Sequence, residues 1–264
     1  MTSNEANEGA RAAWHGEAAG AEAAGAEAAG AEAAGGATVR IILVRHGLTT
    51  WNVDRRYQGQ IDVPLSDQGL IQARAVARRL SSEIVHRVYS SDLSRARMTA
   101  QEIAECHGLD VMADGRLREM RFGDWEGLTF DEIERGWPDL LHRWLEDPVT
   151  LSAPGGETAL QLGERVGRAL KDIYSDLSSL KPGKDGAGGK DGGHRRSGHW
   201  ADEQRPCGVI VSHGGVIRSL MALATEGSMT SLWSRGVRQA SVTIGELSPS
   251  GLAITTWDDA THLA

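Results

Sequence analysis

The feature that most constrains this chain is the run Ile41-Ile42-Leu43-Val44, which stops abruptly at Arg45-His46-Gly47. An apolar, β-branched run of this kind reads as a buried strand, and Gly47 is expected to let the backbone turn sharply at its end. Arg45 and His46 then fall at the carboxyl end of a strand, the edge at which open α/β sheets hold their ligands. A cation beside an imidazole suits an anion, phosphate above all. The same two side chains could equally pair only with neighbours, so the rest of the chain has to decide.

The pattern recurs near the other end. Val209-Ile210-Val211 ends in Ser212-His213-Gly214-Gly215, and a helix follows at once with Val216, Ile217, Leu220, Met221 and Leu223 on its apolar side. Between the two lie a helix capped by Ser66, with Leu70, Ala73, Ala77 and Leu80 at helical spacing, and a strand from Ile84 to Ser90. Ser91 or Asp92 is expected to cap the next helix, which carries Leu93, Ala96, Ala100 and Ile103 on one face and Arg95 in its first turn. A short strand is expected near Val111, then a charged, Gly-rich loop from Arg116 to Gly127. Short helical pieces follow between residues 128 and 150, separated at Pro138. After the turn Pro154-Gly155-Gly156 comes a long amphipathic helix with Leu162, Val166, Leu170, Ile173 and Leu177 buried. Two closing strands, about Ser241 to Leu247 and Leu252 to Trp257, read as a hairpin. This order predicts an α/β fold: a three-layer αβα sandwich whose sheet is mainly parallel, with a C-terminal antiparallel hairpin.

Composition narrows the partners. A formal net charge of -8 over 264 residues disfavours nucleic acid, although a small basic pocket is compatible with it. Cys106 and Cys207 are far apart, so a disulfide framework is not expected, and a reducing cytoplasm is the simpler location. No apolar run is long enough to cross a bilayer. Residues 1–36 repeat Ala-Glu-Ala-Ala-Gly and offer no large apolar side chain to a core, so they read as a disordered low-complexity tail. Residues 37–264 are then the folded domain, interrupted at 181–206 by a Gly-, Lys- and His-rich flexible loop insertion.

In a parallel sheet the ends carrying Arg45-His46, Arg95 and His213-Gly214 share one edge. Two Arg, two His and two helix amino-termini would meet there, with Glu119 in a loop able to close over them. These residues sit in recognisable motifs. Arg45-His46-Gly47-Leu48-Thr49-Thr50-Trp51-Asn52, Gln58-Gly59, Ser91-Asp92-Leu93-Ser94-Arg95-Ala96, Glu119 with Phe122-Gly123 and Trp125-Glu126-Gly127, Pro154-Gly155-Gly156-Glu157 and Ser212-His213-Gly214-Gly215 occur in this order. Together they resemble the histidine phosphatase superfamily, branch 1, the phosphoglycerate mutase-like proteins. The resemblance runs from about Val39 to the carboxyl end, apart from the loop insertion.

The resemblance implies roles for individual residues. His46 matches the nucleophile that accepts the phosphoryl group, with its other ring nitrogen fixed by a carbonyl near Gly47. Arg45, Arg95 and His213 match the residues that hold the phosphoryl oxygens. Asn52, Gln58, Gly59 and the Gly214 N–H match further phosphate or substrate contacts, and Glu119 matches the general acid. No cofactor and no metal are implied, because Arg and His supply the positive charge. The partner would be a small phosphorylated metabolite, with no nucleic acid or membrane, and a homodimer is compatible with the pattern. Glu119-Met120-Arg121-Phe122-Gly123 departs from the mutase pattern E-R-H-Y-G, and Gly215-Val216 departs from its Asn-Ser. Both departures favour hydrolysis of a small phosphomonoester over phosphoglycerate mutase chemistry or a non-catalytic phosphate-binding role. Elsewhere, His194, His199 and Cys207 match no common zinc spacing. Trp137 and Trp144 suit either a substrate cap or the core. Arg121, Arg135 and Arg143 read as solvated surface, His262 as packed or exposed, and Cys106 as a buried thiol.

Overall fold

A computed structural model describes residues 37–181, 205–226 and 236–264. The expected tail at 1–36, His194, His199 and all but the two ends of the 181–206 insertion lie outside the described residues. The element order is β1 (Val39–Arg45), α1 (Thr50–Val53), α2 (Asp67–Leu80), β2 (Arg87–Ser90), α3 (Ser94–His107), β3 (Val111–Ala113), α4 (Phe130–Gly136), α5 (Pro138–Glu146), α6 (Ala159–Ser179), β4 (Cys207–Ser212), α7 (Gly214–Glu226), β5 (Val242–Ser248) and β6 (Gly251–Asp259).

These strands form one sheet in the order β3-β2-β4-β1-β5-β6. β3, β2, β4 and β1 are mutually parallel, while β5 and β6 run antiparallel as the closing hairpin. The continuous apolar run of β1 is explained by its central place. Alternate side chains of a strand face opposite ways, so Val39, Ile41 and Leu43 enter one core with residues of α6 and α7. Ile42 and Val44 enter the other, with residues of α2 and α3. Each such buried side chain contributes about 1.5–3 kcal/mol of transfer free energy. The result is the three-layer αβα arrangement. Among the described residues no helix is long and apolar enough to cross a membrane.

Local signals start several helices, those at Ser66 and Pro138 as expected. Ser66 Oγ accepts from Gly69 N at 3.1 Å, and Thr129 and Thr158 each form a reciprocal capping box. Pro138 opens α5. Four details differ from expectation. α3 is capped neither by Ser91 nor by Asp92: Leu93 occupies the cap position, and the Ser94 N–H donates instead to Asp62 Oδ1 at 2.7 Å. Asp92 is withdrawn by a two-point ion pair with Arg118 (2.8 and 2.6 Å). β2 begins only at Arg87 and leaves Ile84 exposed, because its partner β4 begins at Cys207, opposite His86. Cys106 is exposed, in the last turn of α3 at the edge of its buried stripe. Leu223 of α7 is exposed as well.

Trp144 is buried in the core, edge-on to Trp125 at 5.4 Å and to Phe122 at 6.2 Å, and Trp137 packs partly buried on the same cluster. Core packing, not a substrate cap, therefore accounts for Trp144. Arg121, Arg135 and Arg143 are exposed as expected. His262 is packed, its Nε2 2.9 Å from the Ala240 carbonyl oxygen.

Candidate active site

The carboxyl ends of β1 and β4 are adjacent, in register at Arg45 and Ser212, so His46 and His213 emerge side by side. Their ring centroids lie 5.1 Å apart, and both are buried. His46 Nδ1 is 2.7 Å from the Gly47 carbonyl oxygen. A carbonyl only accepts, so Nδ1 carries the proton and Nε2 keeps its lone pair. Burial is the main reason that the His46 pKa falls well below 6.5, reinforced by the charges of Arg95 and Arg45. His213 is likewise held neutral, by burial first and then by Arg95, His46, Arg165 and Arg45.

Gly47 does not serve the sharp turn expected of it. Its φ is not in the left-handed region, and its need is space: a Cβ there would lie 2.5 Å from the Gly69 carbonyl oxygen. The first turn of α2 thereby lies directly against the loop after β1. Thr99 of α3 secures the same loop, accepting from Gly47 N at 3.2 Å and donating to the Arg95 carbonyl at 2.9 Å.

Arg95 is fully buried, and its two Nη atoms donate to the Gly59 and Ile61 carbonyls at 2.8 and 2.9 Å. Arg45 donates through Nη1 to the Val237 carbonyl. Burial brings the Arg95 pKa down to about 10 and lowers that of Arg45, yet both remain cations at neutral pH. Arg45 Nε, Arg95 Nε, Gln58 Oε1 and both ring nitrogens of His213 are buried without a hydrogen-bond partner among the described residues. Buried polar groups are nearly always satisfied, and the unpaired Nε–H donors of Arg45 and Arg95 beside one imidazole suit anionic oxygens, while Gln58 Oε1 can only accept.

Arg45, Gln58 and Arg95 line an open cleft together with His46, Trp51, Asn52, Gly59 and Glu119. Asn52 is held by its capping box with Thr49, whose N–H donates to Asn52 Oδ1 at 3.1 Å. Glu119 enters from the loop between β3 and α4. Its Oε1 accepts from Met120 N at 2.8 Å and from Gly215 N at 3.1 Å. Gly214 starts α7, in close approach to Arg45. The sequence-predicted residues are thus brought together around His46.

Arg218 escaped the sequence reading. It is buried, lines the cleft beside Arg45, and burial brings its pKa down to about 10. One signal was available: it stands four residues after Gly214, one helical turn along the same face. Among the described residues no group of three His, Cys, Asp or Glu side chains is gathered as for a metal ion. Cys207 is a buried thiol whose pKa burial pushes up to about 12.

The family description "histidine phosphatase superfamily (branch 1)" matches residues 41–179 and 198–260. The chain belongs to this superfamily. Among curated relatives, phosphoserine phosphatase 1 of Hydrogenobacter thermophilus is 32% identical over 206 residues, spanning 78% of this chain and 85% of the relative. Phosphoglycerate mutase-like protein 4 of Arabidopsis thaliana is 36% identical over 227 residues, spanning 84% and 86%. Among solved structures, the mycobacterial glucosyl-3-phosphoglycerate phosphatase with VO3 superposes with a TM-score of 0.70 at 30% identity, covering 84% of this chain and all of that one, 100%. The family match covers both β1 and β4, the two strands whose carboxyl ends carry His46 and His213.

Proposed function

We propose that this enzyme hydrolyses a small phosphomonoester through a phosphohistidine intermediate on His46. The observation that carries the reading is the His46 Nδ1 contact with the Gly47 carbonyl (2.7 Å), which leaves Nε2 as a lone-pair nucleophile inside a ring of buried cations. In the first step Nε2 bonds to phosphorus and the ester O–P bond breaks. Arg45, Arg95 and His213 hold the phosphoryl oxygens as charge shifts onto them, and Glu119 donates a proton to the departing oxygen. In the second step water attacks the phosphohistidine and the carboxylate of Glu119 takes up its proton. The N–P bond breaks and inorganic phosphate leaves. Arg45 and Arg95 provide the positive charge and neutral His213 a further hydrogen bond, so the proposed steps use no metal.

The substrate class follows the relatives: phosphoserine and glucosyl-3-phosphoglycerate are both alkyl phosphomonoesters carrying a carboxylate. The cations lining the cleft suit so anionic a ligand. The test is rapid mixing with substrate followed by an alkaline quench, since a phosphohistidine is stable to base and labile to acid. Label on His46, with steady-state turnover independent of bisphosphoglycerate, supports hydrolysis. Turnover that requires bisphosphoglycerate would favour the mutase reaction, and binding without turnover would leave only a phosphate-binding protein.

A further inference from the structure

We propose that the Arg165–Glu157 ion pair, with Glu157 buried and Arg165 partly so, is a positioning clamp for Glu119, fixing the main chain on both sides of it. The proposal rests on the reading of Glu119 as the proton donor. Between residues 114 and 129 the chain has only two single-turn 3-10 segments, Gly115–Leu117 and Gly123–Trp125. Most of its carbonyls therefore lack partners within a regular element and must find them elsewhere.

Arg165, in the second turn of α6, supplies them. Its Nη1 donates to the carbonyls of Arg116 (2.8 Å) and Arg118 (2.7 Å), and its Nη2 donates to that of Glu119 (2.8 Å). The other edge of the guanidinium meets Glu157 in a two-point pair, Nε to Oε2 at 3.0 Å and Nη2 to Oε1 at 2.6 Å. Glu157 then grips the far side of the acid. Its Oε1 accepts from Arg121 N (2.8 Å), and its own N–H donates to the Arg121 carbonyl (2.9 Å). Backbone groups at 116, 118, 119 and 121 are thus tied to one ion pair whose side chains are only 14% and 8% exposed.

The planar five-donor fork of Arg is needed for this arrangement, and the compact ammonium of Lys cannot reproduce it. The carboxylate of Glu119 is set by the N–H groups of Gly215 and Met120, so a shift in the main chain carrying it moves the acid off those donors. A displacement of about 1 Å remote from the chemistry can cost on the order of a hundredfold in rate.

The experiment compares Arg165→Met, Arg165→Lys, Glu119→Gln and the double variant Glu119→Gln/Arg165→Met. Each is assayed with the best alkyl phosphate from a metabolite panel and with p-nitrophenyl phosphate. Arg165→Met should lower kcat for the alkyl substrate by about tenfold to a hundredfold, less for the aryl one, with KM changed far less. Arg165→Lys should not rescue it. In the Glu119→Gln background Arg165→Met should add no further loss, because the group it positions has already been disabled. Losses that multiply in the double variant, or that are equal for the two substrates while Glu119→Gln still discriminates between them, overturn the clamp. If Glu119→Gln alone affects both substrates equally, the proton-donor reading fails. In that case the double-variant comparison alone decides whether Arg165 acts through Glu119. Should Arg165→Met fail to fold, Glu157→Gln is carried through the same comparison.

Discussion

Both carboxylate oxygens of Glu119 lie within hydrogen-bond distance of one backbone N–H, that of Gly215, at 3.1 and 3.2 Å. A Cβ on residue 215 would stand 2.3 Å from Oε1. The atom in the way is the tip of a flexible side chain, so Gly215→Ala should displace Glu119 without harming the fold. The variant is expected to melt at or slightly above the wild-type temperature, since Ala is the better helix former by up to about 1 kcal/mol. Its kcat on alkyl phosphates should fall. Gly47→Ala should behave oppositely, because the obstacle there is the rigid Gly69 carbonyl at 2.5 Å. Overpacking against backbone costs about 1–3 kcal/mol. Thermal melts and kinetics on the pair separate the two outcomes, and a Gly47→Ala protein as stable as wild type would contradict the packing described.

His46→Ala should abolish turnover and remove all base-stable phosphoenzyme, because among the described residues no other imidazole combines a carbonyl-fixed Nδ1 with this position. Trapping is followed by phosphohistidine mass spectrometry after alkaline quench. Substantial residual turnover in the variant would rule out the covalent route.

Glu119→Gln keeps the shape of the acid and removes its proton. The loss should reach about a hundredfold to ten-thousandfold for an alkyl phosphate. It should be smaller for an aryl phosphate, whose leaving oxygen needs less protonation. Chelator should leave both activities unchanged, and activity that vanished with chelator and returned with zinc or magnesium would overturn the metal-free chemistry.

The two buried imidazoles make stability depend on pH. His46 and His213 titrate well below 6.5 when folded and near 6.5 when unfolded. Below that pH the unfolded chain therefore binds protons that the folded one refuses, and acidification favours unfolding. Their contribution is fully present above pH 6.5 and is lost as pH falls, with a slope of at most about 1.4 kcal/mol per pH unit for each imidazole. Denaturant titrations at pH 5 and 7 should show this, and His213→Gln should reduce the slope by about one proton. An unchanged slope would mean that His213 is protonated in the folded protein.

The sequence by itself determined the layers and which candidate residues share a sheet edge. Apolar β1 and β4 each end in a His next to a Gly, and that alone places His46 and His213 at one sheet edge, because parallel strands share an edge. Helical spacing of apolar residues in α2 and α6 and the cap at Ser66 are local signals, and local signals survive in a linear chain. Other features exist only once distant segments meet. Asp62 caps α3 from 32 positions away, while the nearer Asp92 is taken by Arg118. The requirement for glycine at position 47 comes from a carbonyl on α2 and not from its own φ. Arg218 is a cleft residue because α7 lies beside Arg45, and Arg165 holds Glu119 because α6 passes behind the acid loop. Each of these depends on the three-dimensional distance between residues far apart in the chain, and neither periodicity nor motif spacing encodes that distance.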